Sequence, residues 1–241
     1  MAASPVGGGA QAQVLARLGV ETILVPTVIY GRHPGLGPPG GGAVGAERFD
    51  SLIEGVKAAG ALAEVDAVIA GYFATPRQIQ AAARLIDALP NAWIIVDPIM
   101  GDAESGLYVS EGVAGAIARE LIPRAALVAP NTWELARLAG QKVNDAQSAL
   151  AAARSLGKPA LISSVDAFGE IAVLYAEDGE AWLATHPRQP SAPKGTGDRL
   201  IAHFAGAVLG GLAPREALNA AVGDVAARIG ERAVDVHVTP L

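Results

Sequence analysis

Along the chain, short runs of aliphatic and β-branched residues alternate with longer alanine-rich stretches in which apolar side chains recur every three to four positions. The first pattern fits a strand buried on both faces, and the second an amphipathic helix. Strands are expected at 21–30 (ETILVPTVIY), 66–73 (DAVIAGYF), 92–98 (AWIIVDP), 125–130 (AALVAP), 159–165 (PALISSV), 171–176 (IAVLYA) and 181–186 (AWLATH). Helices are expected between them. Phe49, Ile53 and Val56 fall at helical spacing in AERFDSLIEGVKAAGAL. Thr75 and Pro76 offer an N-cap and a first helical residue to TPRQIQAAARLIDAL. Asn144 or Asp145 caps NDAQSALAAARSL, which ends at Gly157. Two more helices follow Asp198, hinged near GGLAP. This alternation predicts an α/β fold with a mostly parallel sheet covered on both faces. The EDGE tetrapeptide joining the last two strands is an Asp-Gly hairpin, so that pair is expected to be antiparallel.

Two segments break the rhythm. Residues 30–45, YGRHPGLGPPGGGAVG, hold three prolines and seven glycines and read as neither helix nor strand. They form either a surface loop or a mobile flap over a site. The opening stretch, SPVGGGAQAQVLARLGVE, reads as a glycine turn and a helix ahead of the strand at 21. In α/β folds such a turn follows a strand, and here that strand is missing.

Composition narrows the class. A chain of 241 residues is expected to form a single domain over 1–241. With 51% hydrophobic and 17% charged residues it is not a disordered chain. A net charge of −6 argues against binding nucleic acid, which calls for a basic surface to displace counterions. The absence of cysteine removes disulfides and thiolate metal sites. No apolar run reaches membrane-spanning length, and the start lacks the basic and apolar regions of a signal peptide. A cytoplasmic protein with no membrane contact is expected.

The chemistry concentrates at PKGTGD, which runs directly into the apolar helix RLIAHFAGAVLGGL. A helix N-terminus exposes unpaired N–H groups and a partial positive charge, and glycines let a ligand approach the backbone closely. Gly195, Thr196 and Gly197 therefore make a cradle for an anion, with phosphate the natural occupant. A carboxylate does not belong there as an anion ligand. Asp198 suits a base that takes the proton from a hydroxyl attacking a phosphoryl group. The plainer alternatives are a first-turn acid and a simple glycine turn. Lys194 either pairs with phosphate or is solvated. Asp97, in VDPIMGD, falls at the C-terminal end of a strand, where ligands of open α/β sheets collect. Asn131 and Glu134, in VAPNTWEL, follow the next strand. An Asp, an Asn and a Glu suit a hydrated Mg²⁺. Asn131 and Glu134 also have capping-box spacing, and Asp97 also fits a turn before Pro98.

The order DP-x-MGD, PN-x-x-E and GTGD resembles the ribokinase-like superfamily, and most of all its vitamin B6 branch, the pyridoxal kinases. RLGVETILVPTV, AVIAGYFATPRQI, VDPIMGDAESGLYV, APNTWELARLAG and GTGDRLIAHFAGAVLGGLAPREAL resemble segments of that family in the expected order, over nearly the whole chain. The resemblance implies a three-layer αβα sandwich, here without its first strand. It implies ATP-dependent phosphorylation of the 5′-hydroxymethyl group of pyridoxal or a related B6 vitamer. The alternatives are a hydroxymethylpyrimidine or other small-alcohol kinase of the same fold, and a non-catalytic nucleotide- or vitamer-binding protein. By the same resemblance Gly195, Thr196 and Gly197 are the anion hole and Asp198 is the base. Asp97, Asn131 and Glu134 organise ATP and Mg²⁺, with Asp97 and Glu134 acting on the metal partly through water. Ser163 and Ser164 match positions that contact ATP phosphates, and Lys194 joins them. His33 and Tyr72 match positions near the B6 ring, although His33 also fits a loop residue without a role. A homodimer is implied, and a monovalent cation such as K⁺ has a place beside ATP and Mg²⁺. Three departures fall at the ring-binding end. The family's first strand and its ring-binding serine would precede Met1, Gly8 stands where the family has Asn, and Arg32-His33 replaces Asn-His.

Overall fold

The computed structural model describes residues 6–167, 169–188, 193–230 and 236–241. Ser4 and Pro5, at the start of the expected glycine turn, lie outside them. In chain order the elements are α1 (Gly7–Arg17), β1 (Val28–Tyr30), β2 (Gly41–Ala43), α2 (Ala46–Ala58), β3 (Ala67–Ala70), α3 (Pro76–Asp87), β4 (Trp93–Val96), β5 (Gly101–Asp102), β6 (Gly106–Leu107), α4 (Glu111–Ala116), β7 (Leu127–Val128), α5 (Thr132–Ala139), α6 (Ala146–Ser155), β8 (Ala160–Ala167), β9 (Glu170–Glu177), β10 (Glu180–His186), α7 (Thr196–Leu209), α8 (Pro214–Ile229) and β11 (His237–Pro240). They group into two compact units, Ile23–Val128 and Ala129–Leu241, the latter joined by residues 6–22.

In the first unit, β3, β4 and β7 are parallel, with Ile69 opposite Ile95 and Ile95 opposite Leu127. Ile95, Val96 and Val128 are fully buried, as the continuous aliphatic runs of parallel strands require. Helix α3 starts as its sequence directs: Thr75 accepts from the Gln78 amide and Pro76 is the first helical residue. Gln78 is itself completely buried. Its side-chain amide donates to the carbonyls of Thr27 and Val44 at 2.8 Å each and accepts from the Ala74 N–H at 2.9 Å. One buried polar side chain thus bonds three backbone groups at the edges of neighbouring elements.

The expected strand at 21–30 is realised only at Val28–Tyr30. Pro26 removes a ladder donor, and Ile23 and Leu24 remain about half exposed, at 49% and 53%. The glycine-rich segment that follows is more ordered than its composition suggests. Gly41–Ala43 pairs antiparallel with Val28–Tyr30, because ladder bonds need only the main chain. The loop between them is tied by Gly31 and Arg32 amides to the Pro39 carbonyl and by the Arg32 guanidinium to the Pro38 carbonyl at 2.8 Å.

The second unit is built on the antiparallel order β8–β9–β10–β11. The parallel expectation therefore holds for β3, β4 and β7, and the strands of this unit make the whole mixed. The Asp-Gly turn is present, with Asp178 and Gly179 both at positive φ, 44° and 88°. Alternation along β9 sorts the two faces. Ala172, Leu174 and Ala176 pack in one cluster with Leu135 of α5 and Ala149, Ala152 and Ala153 of α6. Tyr175 points the other way and meets Phe204 of α7, ring centroids 5.3 Å apart. Helices cover both faces, giving the expected αβα layering in this unit. β11 was not expected: HVTP has a proline and no apolar run, and it takes its place as an edge strand.

Candidate active site

The glycine turn opening α7 forms as the sequence directs. Gly195 sits at φ 91°, ahead of α7, and no side chain caps the helix. The first-turn N–H groups of Thr196, Gly197 and Asp198 are therefore not claimed by a cap from Gly195. An added Cβ at Gly197 would meet nothing within 4 Å, so the space over the first turn is open. Lys194 is exposed in the turn before it. The Asp198 carboxylate is held from a distant part of the chain: Oδ2 accepts from the Gly7 N–H at 2.8 Å. Gly7 opens α1, which packs along α7. Next to Asp198, the Arg199 side chain is only 11% exposed and its guanidinium lies 3.5 Å from Asp224 of α8.

A second group gathers where β8 meets the start of α5. Asn131 and Glu134 do form a capping box: Asn131 Oδ1 accepts from the Glu134 N–H, and Glu134 Oε2 accepts from the Asn131 N–H, each at 2.9 Å. Glu134 is 3% exposed. Ser163 pairs in parallel with Asn131, and its N–H donates to the Pro130 carbonyl at 3.0 Å. Ser164 adopts φ 62°, in the left-handed region that a non-glycine residue seldom visits. The two serines form a bulge, the pairing register shifting between Ile162 and Val165. The bulge lets Ile162 and Val165 both face the buried cluster with α6, while Ser164 is exposed. Strain at a bulge beside a helix N-terminus is a common property of ligand sites.

In the first unit, Asp97 immediately follows β4 and is 7% exposed. Its N–H donates to the Ala70 carbonyl at 2.9 Å and its carbonyl accepts from Ile99 at 2.8 Å. Tyr72 follows β3, and its carbonyl accepts from the Thr27 hydroxyl at 2.7 Å. Burial first, and then the neighbouring Tyr30, push the Tyr72 hydroxyl above its ordinary value. Tyr30 lies in β1, so the strand that carries the glycine-rich loop also meets Tyr72. His33 acts locally, its Nδ1 accepting from the Gly35 N–H at 3.0 Å and capping the short 3-10 turn Pro34–Leu36.

The structure thus brings Asn131, Glu134, Ser163 and Ser164 together, and sets Gly195, Thr196, Gly197 and Asp198 on one helix start. It places Asp97, Tyr72 and His33 in the other unit. Sequence reasoning missed Tyr30, Gln78 and the Gly7 amide. An aromatic just ahead of the glycine loop was a readable signal for Tyr30. A backbone donor from a remote helix leaves no signal at all. Among the described residues no group of three or more His, Cys, Asp and Glu side chains is preassembled for a metal.

The phosphomethylpyrimidine kinase family model matches residues 50–237. Two curated relatives extend the match. The pyridoxine/pyridoxal/pyridoxamine kinase of Bordetella avium is 34% identical over 227 residues, covering 89% of this chain and 77% of the relative. The pyridoxal kinase PdxY of Leifsonia xyli is 33% identical over 211 residues, covering 83% and 75%. The chain belongs to the phosphomethylpyrimidine kinase family, a family of phosphotransferases, and within it to the pyridoxal kinases. Solved structures agree on the fold. Pyridoxal kinase from Entamoeba histolytica superposes with a TM-score of 0.92 at 20% identity, covering 100% of this chain and 96% of that one. Pyridoxal kinase from Staphylococcus aureus, in complex with ADP, gives 0.82 at 22%, covering 99% and 94%. The fold is therefore the ribokinase-like αβα class.

Proposed function

We propose that this protein is an ATP-dependent kinase that phosphorylates the 5′-hydroxymethyl group of pyridoxal or a related B6 vitamer. The observation that carries this is Asp198, a carboxylate set in the first turn of a helix whose open glycine start is built for an anion. A binding protein for nucleotide alone gains nothing from a base in that position. The curated relatives that share most of the chain are B6 kinases, which supports the choice of alcohol.

Asp198 accepts the proton of the 5′-hydroxyl as its oxygen attacks the γ-phosphorus of ATP. The bond from that phosphorus to the bridging oxygen breaks, giving the 5′-phosphate ester and ADP. Gly195, Thr196 and Gly197 offer N–H groups to the charge that develops on the transferred phosphoryl oxygens. Ser163 and Ser164, presented by the bulge, together with Lys194, contact the nucleotide phosphates. Asp97 and Glu134 are each buried carboxylates of the kind that suits a hydrated Mg²⁺ approached partly through water, and Asn131, paired with Glu134 in the capping box, contributes to holding ATP. Bound Mg²⁺ supplies charge neutralisation on the phosphates, and K⁺ is a further ion to test. Tyr72 and His33 serve the B6 ring. The protein acts in the cytoplasm as a homodimer, with residues 1–241 as one kinase domain.

The test is ADP release with MgATP against pyridoxal, pyridoxine, pyridoxamine, hydroxymethylpyrimidine and ribose. Turnover with a B6 vitamer is expected. Turnover confined to hydroxymethylpyrimidine would keep the mechanism and replace the substrate, and a silent panel with ATP still bound would sink the kinase reading. Asp198→Asn should lower kcat by at least about 100-fold and leave the ATP Kd within a small factor.

A further inference from the structure

We infer that the main-chain N–H of Gly7, at the start of α1, is a positioning group for Asp198: it orients the carboxylate and favours its ionised, proton-accepting form. This rests on the kinase reading above and deepens it. The contact is long-range, Gly7 N–H to Asp198 Oδ2 at 2.8 Å across 191 residues of sequence. It is a charge-assisted bond, and it lies where two helix N-termini converge, α1 and α7, each favouring negative charge. The start of α1 has no cap of its own: Val6 provides no side-chain bond, and no acidic residue lies in the first turn. Asp198 fills that role from another helix. The capping of α1 and the base of the reaction are therefore the same carboxylate.

The local sequence is shaped for this contact. Gly7 adopts φ 58°, and an added Cβ there would touch nothing within 4 Å. Glycine is needed for its backbone conformation rather than for space, and that conformation aims the N–H at Asp198. The helix is held against α7 by a second glycine. A Cβ on Gly206 would fall 2.6 Å from Leu18 Cδ1 and 3.4 Å from Leu15 Cδ2. Gly206 lies two turns beyond Asp198, about 12 Å along the axis. The close approach there sets the distance between the axes, and so the reach of Gly7.

Among the described residues, the titratable and charged groups of the elements packed here include Lys194, Arg199 and His203 on its own segment and Arg17 in the last turn of α1. α8 carries Asp224 and Arg228, with Asp224 3.5 Å from Arg199 and 3.3 Å from Arg228. α1 brings no charge in its first turn. Gly7→Ala itself removes none of these groups. A donor to the ionised carboxylate lowers its pKa, so loss of the donor raises it. The base must be ionised to work, and the acid limb of the kcat profile must then move to higher pH.

Two measurements decide. The first is the Gly7 amide resonance of the wild-type protein followed through a pH titration and compared with Asp198→Asn. It should move with the titration of Asp198 and lose that movement in the variant. This readout does not depend on turnover, so it stands even if the kinase reading fails. The second is kinetic. Gly7→Ala should lower kcat about tenfold, shift its acid limb up by about one pH unit, and leave KM for ATP unchanged. Gly206→Val, which wedges α1 away from α7 outside the catalytic machinery, should shift the limb in the same direction. Gly9→Ala, an exposed position of α1 with open space around it, is the control and should shift nothing. A Gly7 amide indifferent to Asp198, or an acid limb that stays in place in both Gly7→Ala and Gly206→Val, overturns the inference.

Discussion

Ser164 shows at the residue scale how a strained backbone is held in place by its surroundings. Its φ of 62° costs free energy that a surface serine in an ordinary strand would not bear. The surroundings hold it there: Ser163 is tied to Pro130, and the Thr132 hydroxyl lies 3.4 Å from the Ser164 carbonyl. Ser164→Gly should therefore leave stability within about 1 kcal/mol, since relief of strain offsets the added freedom of the unfolded chain. Ser164→Val, β-branched at a left-handed position, should cost about 1–3 kcal/mol. Urea unfolding of the two variants checks this, and equal stability of both would show that the bulge relaxes freely. Local features of the candidate site were legible where side chains at fixed spacing carry them. GTGD announced a glycine turn opening a helix with Asp198 in its first turn, and Asn131 and Glu134 announced a capping box that the structure contains. The Gly7 donor was not legible, because every residue but proline has an N–H and only the fold says where it points.

At the scale of elements, the hairpin of β1 and β2 is the device that carries the glycine-rich loop. Gly41 sits at φ 84°, and a Cβ there would run into the carbonyl oxygen of Ile29 on the paired strand. Gly41→Ala should break the register of Tyr30 with Gly41 and displace both Tyr30 and the loop. We expect KM for the alcohol to rise severalfold with KM for ATP unchanged, and initial-rate kinetics in the two substrates separate these. A rise in both would mean that the hairpin supports the fold as a whole rather than the ring end. Helix starts were read well from sequence because caps are local chemistry. Thr75 and Asp145 both accept from the N3 amide of their helices, at Gln78 and Ser148. Thr75→Ala should cost about 1 kcal/mol of stability by thermal or urea unfolding. Strand limits were read less well. The run at 21–30 has strand composition but forms a strand only over its last three residues, since a strand exists only where a partner's ladder meets it. For the same reason the glycines at 41–43 form a strand that composition argues against.

The whole molecule raises the question of how many folding units its two compact parts represent. The chain does not divide at one point. Residues 6–22 belong with Ala129–Leu241, and Ile23–Val128 is inserted between them. A terminal cut at either junction would therefore remove α1 from α7, and with it the contact across Leu15, Leu18 and Gly206 that orders the first helix. Leu15, 6% exposed, would lose its burial at a cost of about 1.5–3 kcal/mol, and Leu18, already 37% exposed, would lose less. That penalty is a large part of the roughly 5–15 kcal/mol that a folded domain possesses. The expectation is a single cooperative unfolding transition for the full chain, with coincident midpoints by far-UV circular dichroism and by tryptophan fluorescence. The fluorophores sample both parts, with Trp93 in β4 and Trp133 and Trp182 in the other unit. Coincident transitions are the mark of one cooperative unit, and separated ones of two. Two midpoints would mean that the inserted unit folds alone. The fragment 23–128 could then be produced and its parallel strands studied without α7.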